Sequence, residues 1–382
     1  MGGWRVVTDE AEGARRWRLV LGRYANSTLP TSSFDAREAA IERTLSYLYD
    51  REYQQRGHRH RTEGAGGSLD PSALNALSWL GGAGKLFPKP TFERMQVQAI
   101  ERYNLTELLA DEETAAGLQP TPELATALLS IRGRLDSSLE NGVRTVIAAT
   151  VDEIVKRVKP RFQQALTGQR TRARSYRRSS RDFDWRTTIR ANLANYDPES
   201  ARLAIETVRF TSRSRRTLPW DVIVCVDQSG SMASSVMYSA ICASILTDLP
   251  SVAVRLVLFD TSVTDVSHLA ADPVSVLMTA QLGGGTDIAS ALAYCESLVV
   301  TPARTVVALI SDFEEGGSVS RMLATVSRMK ESGATLLGLA ALDERAEPSF
   351  DHQMAGRLTA RGMEVAALTP EHFAEWLGDV MT

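Results

Sequence analysis

Only three cysteines occur in the 382 residues, Cys225, Cys242 and Cys295, each in apolar surroundings. An odd, unclustered set excludes a disulfide framework and points to buried thiols in a reducing compartment. Histidine is scarce too. His58 and His60 form an H-x-H pair with no cysteine or further histidine nearby to complete a metal site, so the polar stretch 54–68 reads as a solvated loop. No run approaches the roughly 18 apolar residues of a membrane span. The segment Met1-Gly2-Gly3-Trp4-Arg5 lacks a signal-peptide core, and Val6 stands where a myristoylated Gly2 would want Ser or Thr. The expected location is the cytoplasm, with no membrane partner. A basic excess is also missing, since the formal net charge is -3.

What is present is an ordinary globular composition, 43% hydrophobic and 23% charged, long enough for two domains. Its charge is unevenly placed. From Arg161 to Trp220 there are about fourteen arginines against five acids; from Asp221 onward, about twenty acids against eight bases. Distinct surfaces for distinct partners are expected.

The first part of the chain, to about residue 185, reads as helical. Ile41, Leu45, Leu48 and Tyr49 recur at helical spacing within 35–53. Asp70-Pro71 and Thr121-Pro122 are cap-and-proline starts for helices carrying Leu74, Leu77 and Leu80, and Leu124, Leu128 and Leu129. A helix near Thr91 and a long amphipathic one over 138–166, kinked at Pro160, follow. Gly81-Gly82-Ala83-Gly84-Lys85 imitates a phosphate loop, but Trp79 and Leu86 stand where glycine and Ser/Thr are required. It reads as a glycine-rich turn, and no nucleotide site is expected.

From Trp220 the rhythm changes. Strands are predicted over 221–226, 252–260, 263–266, 305–311, 335–342 and 363–367, with helices over 233–249, 273–279, 287–299, 319–331, 350–360 and 370–380. Short apolar runs between helices specify an α/β fold with a doubly wound, mostly parallel sheet, preceded by an all-α domain. The expected division is 1–168 helical, 169–219 an Arg-rich connector, and 220–382 the sheet domain. No internal repeat is evident.

In such a sheet ligands bind beyond the carboxyl ends of the strands, where strand order reverses. Asp227-x-Ser229-x-Ser231 follows the first strand, Thr286 sits in Gly283-Gly284-Gly285-Thr286-Asp287, and Asp312 follows Val306–Ile310. Two carboxylates and three hydroxyls suit a hard divalent cation, Mg²⁺ above all, with Mn²⁺ or Ca²⁺ as alternatives. Each residue has a plainer explanation: Ser229, Ser231, Asp287 and Asp312 could cap helices, and the glycines could form a turn. Asp287, Glu314 and Glu315 flank the set, either tuning it from outside or forming a solvated acidic rim.

D-x-S-x-S, then T in G-G-G-T-D, then D at a strand end resembles the metal-ion-dependent adhesion site of von Willebrand factor A (VWA) domains. The resemblance covers 220–382 and implies that Ser229, Ser231 and Thr286 bind the ion directly, with Asp227 and Asp312 acting mainly through water. An open coordination position would then attract a partner's carboxylate. More widely, Phe183-Asp184-Trp185-Arg186-Thr187-Thr188-Ile189-Arg190-Ala191-Asn192-Leu193, together with Arg16–Gly22 and Ser46–Asp50, resembles bacterial CoxE-like and YehP-type proteins. Proteins of those groups are commonly linked to MoxR-type AAA+ ATPases. The resemblance implies a metal-dependent adaptor or cochaperone that grips the ATPase or its client, and no enzyme.

Two other readings compete. Arg170, Arg172, Arg174, Arg177, Arg178 and Arg181 surround Tyr176, with Arg213, Arg215 and Arg216 further on. Such a cluster could bind nucleic acid, although the chain lacks a nucleic-acid module, and an acidic protein surface fits as well. Hydrolysis through Ser229 or Ser231 would need a base, and nothing in the spacing of His268, His352 or His372 marks one.

Overall fold

The structure is a computed structural model. It describes residues 10–22, 25, 29, 34–55, 73–103, 105–110, 112–166, 183–198, 200–210, 220–249, 252–343 and 349–381. Arg172, Arg174, Arg177, Arg178, His58, His60 and the second arginine cluster lie outside those residues. The chain forms two compact units, Met1–Val151 and Asp152–Thr382.

The first unit is helical: α1 Glu10–Leu21, α2 Ala36–Gln55, α3 Ala73–Leu86, α4 Lys89–Glu101, α5 Glu112–Ala116, α6 Pro122–Ile131, and the start of α7, Glu140–Leu166. Thr121 caps α6, its hydroxyl accepting from Leu124 N at 3.2 Å, as the cap-and-proline pattern predicts. The core gathers Leu105, Leu108, Leu109, Leu124, Leu128 and Ile147. Trp79 donates its indole N–H to Thr44 O at 3.0 Å and stacks on Tyr47.

The glycine-rich turn expected at 81–85 is not one, because these residues continue α3. Interior glycine costs a helix up to about 1 kcal/mol relative to alanine, and close packing offsets it. A Cβ on Gly84 would lie 3.4 Å from the Phe92 ring, and one on Gly82 3.7 Å from the Thr44 hydroxyl, while Ala83 is fully buried.

In the second unit, the part of the expected connector that is described folds into α8, Trp185–Asn192, and a two-residue antiparallel ribbon of β1, Tyr196–Asp197, and β2, Arg202–Leu203. The sheet then runs through β3 Trp220–Asp227, α9 Ala233–Thr247, β4 Val252–Phe259, β5 Val263–Asp265, α10 Pro273–Thr279, α11 Ile288–Leu298, β6 Thr305–Ile310, α12 Val319–Glu331, β7 Thr335–Leu342, α13 His352–Thr359, β8 Glu364–Leu368 and α14 Pro370–Val380. Its order is β5-β4-β3-β6-β7-β8, parallel except for the antiparallel edge strand β5. The doubly wound fold is therefore present.

Both faces are covered, so β3 and β6 are apolar along their length instead of alternating. Ile223, Cys225, Val307 and Leu309 pack on α11, α12 and α13, and α9 lies on the opposite face. Among the described residues one segment, Gly230–Thr247, is long and apolar enough to cross a membrane, contrary to the sequence expectation. Of that segment, 78% is buried, which makes it a core helix. Cys225, Cys242 and Cys295 are free and buried as expected.

Candidate metal centre

Chain order fixes where the site lies. From β3 the chain crosses to β4 on one side and later returns to β6 on the other, so the C-terminal ends of β3 and β6 flank the point where strand order reverses. Asp227 ends β3, and Ser311-Asp312 follows β6.

The oxygens meet there. Ser231 Oγ donates to Asp312 Oδ2 at 2.8 Å and lies 3.2 Å from Ser229 Oγ. Asp227 Oδ1 accepts from Ser229 N at 2.9 Å, and its Oδ2 from Ser311 Oγ at 2.8 Å. Asp312 Oδ1 accepts from Glu314 N at 3.2 Å. Four of the five residues assigned from the sequence thus form one hydrogen-bonded group.

Thr286 enters through the backbone. Its carbonyl accepts from Gly316 N at 2.9 Å, which ties the glycine loop to the loop after β6. A Cβ on Gly316 would lie 2.8 Å from that carbonyl, so glycine permits the approach. Gln228 secures the same loop from the β3 side. Its carbonyl accepts from Gly283 N at 2.9 Å and its side-chain Oε1 from Gln281 N at 3.1 Å. The Thr286 hydroxyl has no hydrogen-bond partner among the described residues.

Helix capping explains only part of the set. Ser229 precedes a 3₁₀ turn without a side-chain cap bond, and α9 begins without one. Ser318, not Asp312, caps α12. Asp287 does cap α11, accepting from Ser290 N at 2.9 Å and Ser290 Oγ at 2.7 Å, and the hydroxyl bond holds its carboxyl below the usual range. Glu314 is exposed.

Three residues outside the assigned ligand set support the group. Ser311 joins Asp227 to the backbone after β6, since its oxygen also accepts from Phe313 N at 3.0 Å. Glu315, for which the sequence left open a tuning role or a place in an acidic rim, accepts from Ile288 N at 2.7 Å and Gly317 N at 3.1 Å, so it anchors the start of α11. Phe313 is buried with φ 62°, a left-handed backbone that turns the chain directly after Asp312.

The two carboxylates are buried, while Ser231 is exposed. Asp227 is 0% exposed and Asp312 8%. Burial pushes the Asp227 carboxyl up, the Ser229 and Ser311 donors pull it down, and the neighbouring Asp312 charge raises it again. Neither carboxylate has a Lys, Arg or His partner among the described residues. Such a pair is costly unless a cation compensates it. The donors are all oxygen, and no cluster of three His, Cys, Asp or Glu side chains exists among the described residues. With its proton committed to Asp312, the Ser231 oxygen keeps lone pairs for a cation. The residues fit a hard divalent ion.

Neither serine bonds to a histidine here. His372 pairs with Thr369 at 3.1 Å, and the His352 ring lies tilted against Phe350 with centroids 4.1 Å apart.

The chain is similar to known proteins. The family described as VWA domain containing CoxE-like protein matches residues 154–377. The uncharacterized protein YehP of Escherichia coli (strain K12) is 39% identical over 367 residues, 96% of each chain. Among solved structures, an aerotolerance-related membrane protein from Bacteroides fragilis NCTC 9343 is 14% identical, and the conserved hypothetical protein BatB from Bacteroides thetaiotaomicron is 15% identical. Each alignment covers 42% of this chain and 98% of the other, with a TM-score of 0.33.

Proposed function

The chain belongs to the family of VWA-domain-containing CoxE-like proteins, and on that premise we propose that it is a Mg²⁺-dependent protein-interaction module. In this reading it is a cytoplasmic adaptor or cochaperone of a MoxR-type AAA+ ATPase, binds an acidic side chain of the ATPase or its client, and catalyses no reaction itself. The observation that carries the reading is the pair of buried carboxylates, Asp227 and Asp312, set among hydroxyls with no basic partner among the described residues.

Ser229, Ser231 and Thr286 would hold the ion directly, with Asp227 and Asp312 acting through water. When bound, the ion supplies a positive centre little neutralised by its direct ligands, and so a site for a partner's carboxylate. The chain's own residues orient the donors. Asp312 accepts the Ser231 hydrogen bond, Ser311 steadies Asp227, and Gln228, Gly316 and Glu315 hold the Thr286 loop in register. The link to the AAA+ ATPase rests on the family, whose members are commonly associated with MoxR-type ATPases.

The test has two stages. Calorimetric titration of the full chain with Mg²⁺ should give one saturable site that Asp227→Ala and Ser231→Ala remove while leaving the fold intact. Partner capture from lysate should then be lost in EDTA and in both variants, with a MoxR-type ATPase or its client among the lost proteins. Partners retained in all three conditions would place binding elsewhere on the chain.

A further inference from the structure

Helix α8 is amphipathic in the reverse sense. A surface helix normally turns its apolar stripe inward. Here the fully buried side chains are Thr188 and Asn192, while Trp185 (66% exposed), Ile189 (42%) and Leu193 (59%) face out. Trp185 and Ile189 lie one turn apart on α8, and Leu193 opens the 3₁₀ turn Leu193–Asn195 that continues it, which gives a ridge about 12 Å long.

Polar anchoring fixes that orientation. Asp184 caps the helix through Thr187 N at 3.1 Å and Thr187 Oγ1 at 2.7 Å. Thr188 Oγ1 accepts from Arg209 N at 3.0 Å. Asn192 Oδ1 accepts from Glu206 N and Thr207 N, both at 2.9 Å, and its Nδ2 donates to Thr207 O at 2.8 Å. Two side chains thereby bond the backbone of residues 206–209. Rotating α8 to bury its stripe would leave these backbone groups unsatisfied. The ridge is therefore held outward by design of the local sequence. Arg186 and Arg190 follow Trp185 and Ile189 by 100° around the helix and line one edge of the ridge. Together with Arg202 and Arg209, they have no acidic partner among the described residues.

We propose that this ridge docks an acidic amphipathic helix of a partner protein. Leucine-type residues of that helix would pack on Trp185, Ile189 and Leu193, and its carboxylates would meet Arg186 and Arg190. Charge selects this occupant. A second copy docked ridge to ridge would set arginine against arginine. An anionic bilayer is an extended surface, whereas this ridge is one narrow strip about 12 Å long with arginines along one edge, the footprint of a single helix. The surface shares no residue with the metal centre.

The probe is a labelled helical peptide with leucine at the a and d positions of each heptad and glutamate elsewhere, beside a matched lysine peptide. Binding of the glutamate peptide by the full chain should persist in EDTA and in Asp227→Ala, where the metal centre offers no cation to a carboxylate, which separates this surface from the metal reading. Ile189→Asp with Leu193→Asp should weaken binding roughly tenfold or more without changing the thermal midpoint. Arg186→Glu with Arg190→Glu should transfer the preference to the lysine peptide. Equal binding of both peptides, or binding that the Ile189/Leu193 variant retains, overturns the proposal. So does failure to bind either peptide, whether the ridge instead controls sedimentation with phosphatidylglycerol vesicles (a membrane surface) or the monomer–dimer equilibrium (a second copy).

Discussion

Ser311 Oγ donates to Asp227 Oδ2 at 2.8 Å across the ends of two adjacent parallel strands, and the same oxygen accepts from Phe313 N at 3.0 Å. One hydroxyl thus fixes the deepest carboxylate of the site and the turn that delivers Asp312. Orientation of a ligand set by surrounding donors commonly governs metal affinity.

Ser311→Ala should therefore lower Mg²⁺ affinity roughly tenfold or more while leaving all the proposed ligands in place. It should also cost about 1–3 kcal/mol of stability, because a buried acceptor and a buried N–H lose their partner. Calorimetric Mg²⁺ titration and thermal unfolding in EDTA separate the two effects. An unchanged Mg²⁺ affinity would remove Ser311 from the site.

Asp265 provides a pH-dependent contact away from the metal centre. Burial pushes its carboxyl up, but bonds from the Ser267 hydroxyl and N–H and from the Tyr294 hydroxyl outweigh this and hold it below the usual aspartate range. A carboxyl lowered in the folded state contributes stability that is present above its unfolded pKa and lost as pH falls through the folded one. The window is therefore below about pH 4. Tyr294→Phe removes the 2.8 Å donor to Asp265 Oδ2, so its acid-unfolding midpoint should move to higher pH. Coincident acid-unfolding curves for the variant and the parent chain would show that the bond has no such role.

Much of the sheet domain is legible in sequence because local and tertiary signals agree there. Strands covered on both faces are short apolar runs, and Asp272, Asp287, Ser318 and Thr369 cap α10, α11, α12 and α14. The bounds of 273–279, 319–331, 335–342 and 370–380 coincide with the observed elements. Asp227, Ser229, Ser231 and Asp312 are equally legible, since their positions at strand ends follow from the winding rule alone. What escapes is set by distant neighbours. Gly81–Lys85 becomes helix through contacts with Thr44 and Phe92. Thr188 and Asn192 are buried by backbone 14 to 21 residues ahead, against the local pattern. Glu315 looks like rim charge until the start of α11 is placed beside it.

Phe313 sets two of these influences against each other. Its backbone, at φ 62°, disfavours any side chain by roughly 1–2 kcal/mol, yet its ring is fully buried and packs edge-on against Phe350 with centroids 6.1 Å apart. Gly338 makes room for it, since a Cβ there would lie 3.2 Å from the ring tip. Truncation of a buried phenylalanine costs about 3–5 kcal/mol, so packing outweighs strain and the residue persists. Phe313→Ala loses the ring and keeps the strain; Phe313→Gly loses the ring but relieves the strain. At an ordinary site glycine is the less stable of the two by about 0.5–1 kcal/mol. Here the order should invert, with Phe313→Gly more stable than Phe313→Ala by about 1 kcal/mol in urea unfolding. If alanine proves the more stable, the left-handed turn after Asp312 is not under strain, and Phe313 is retained for packing alone.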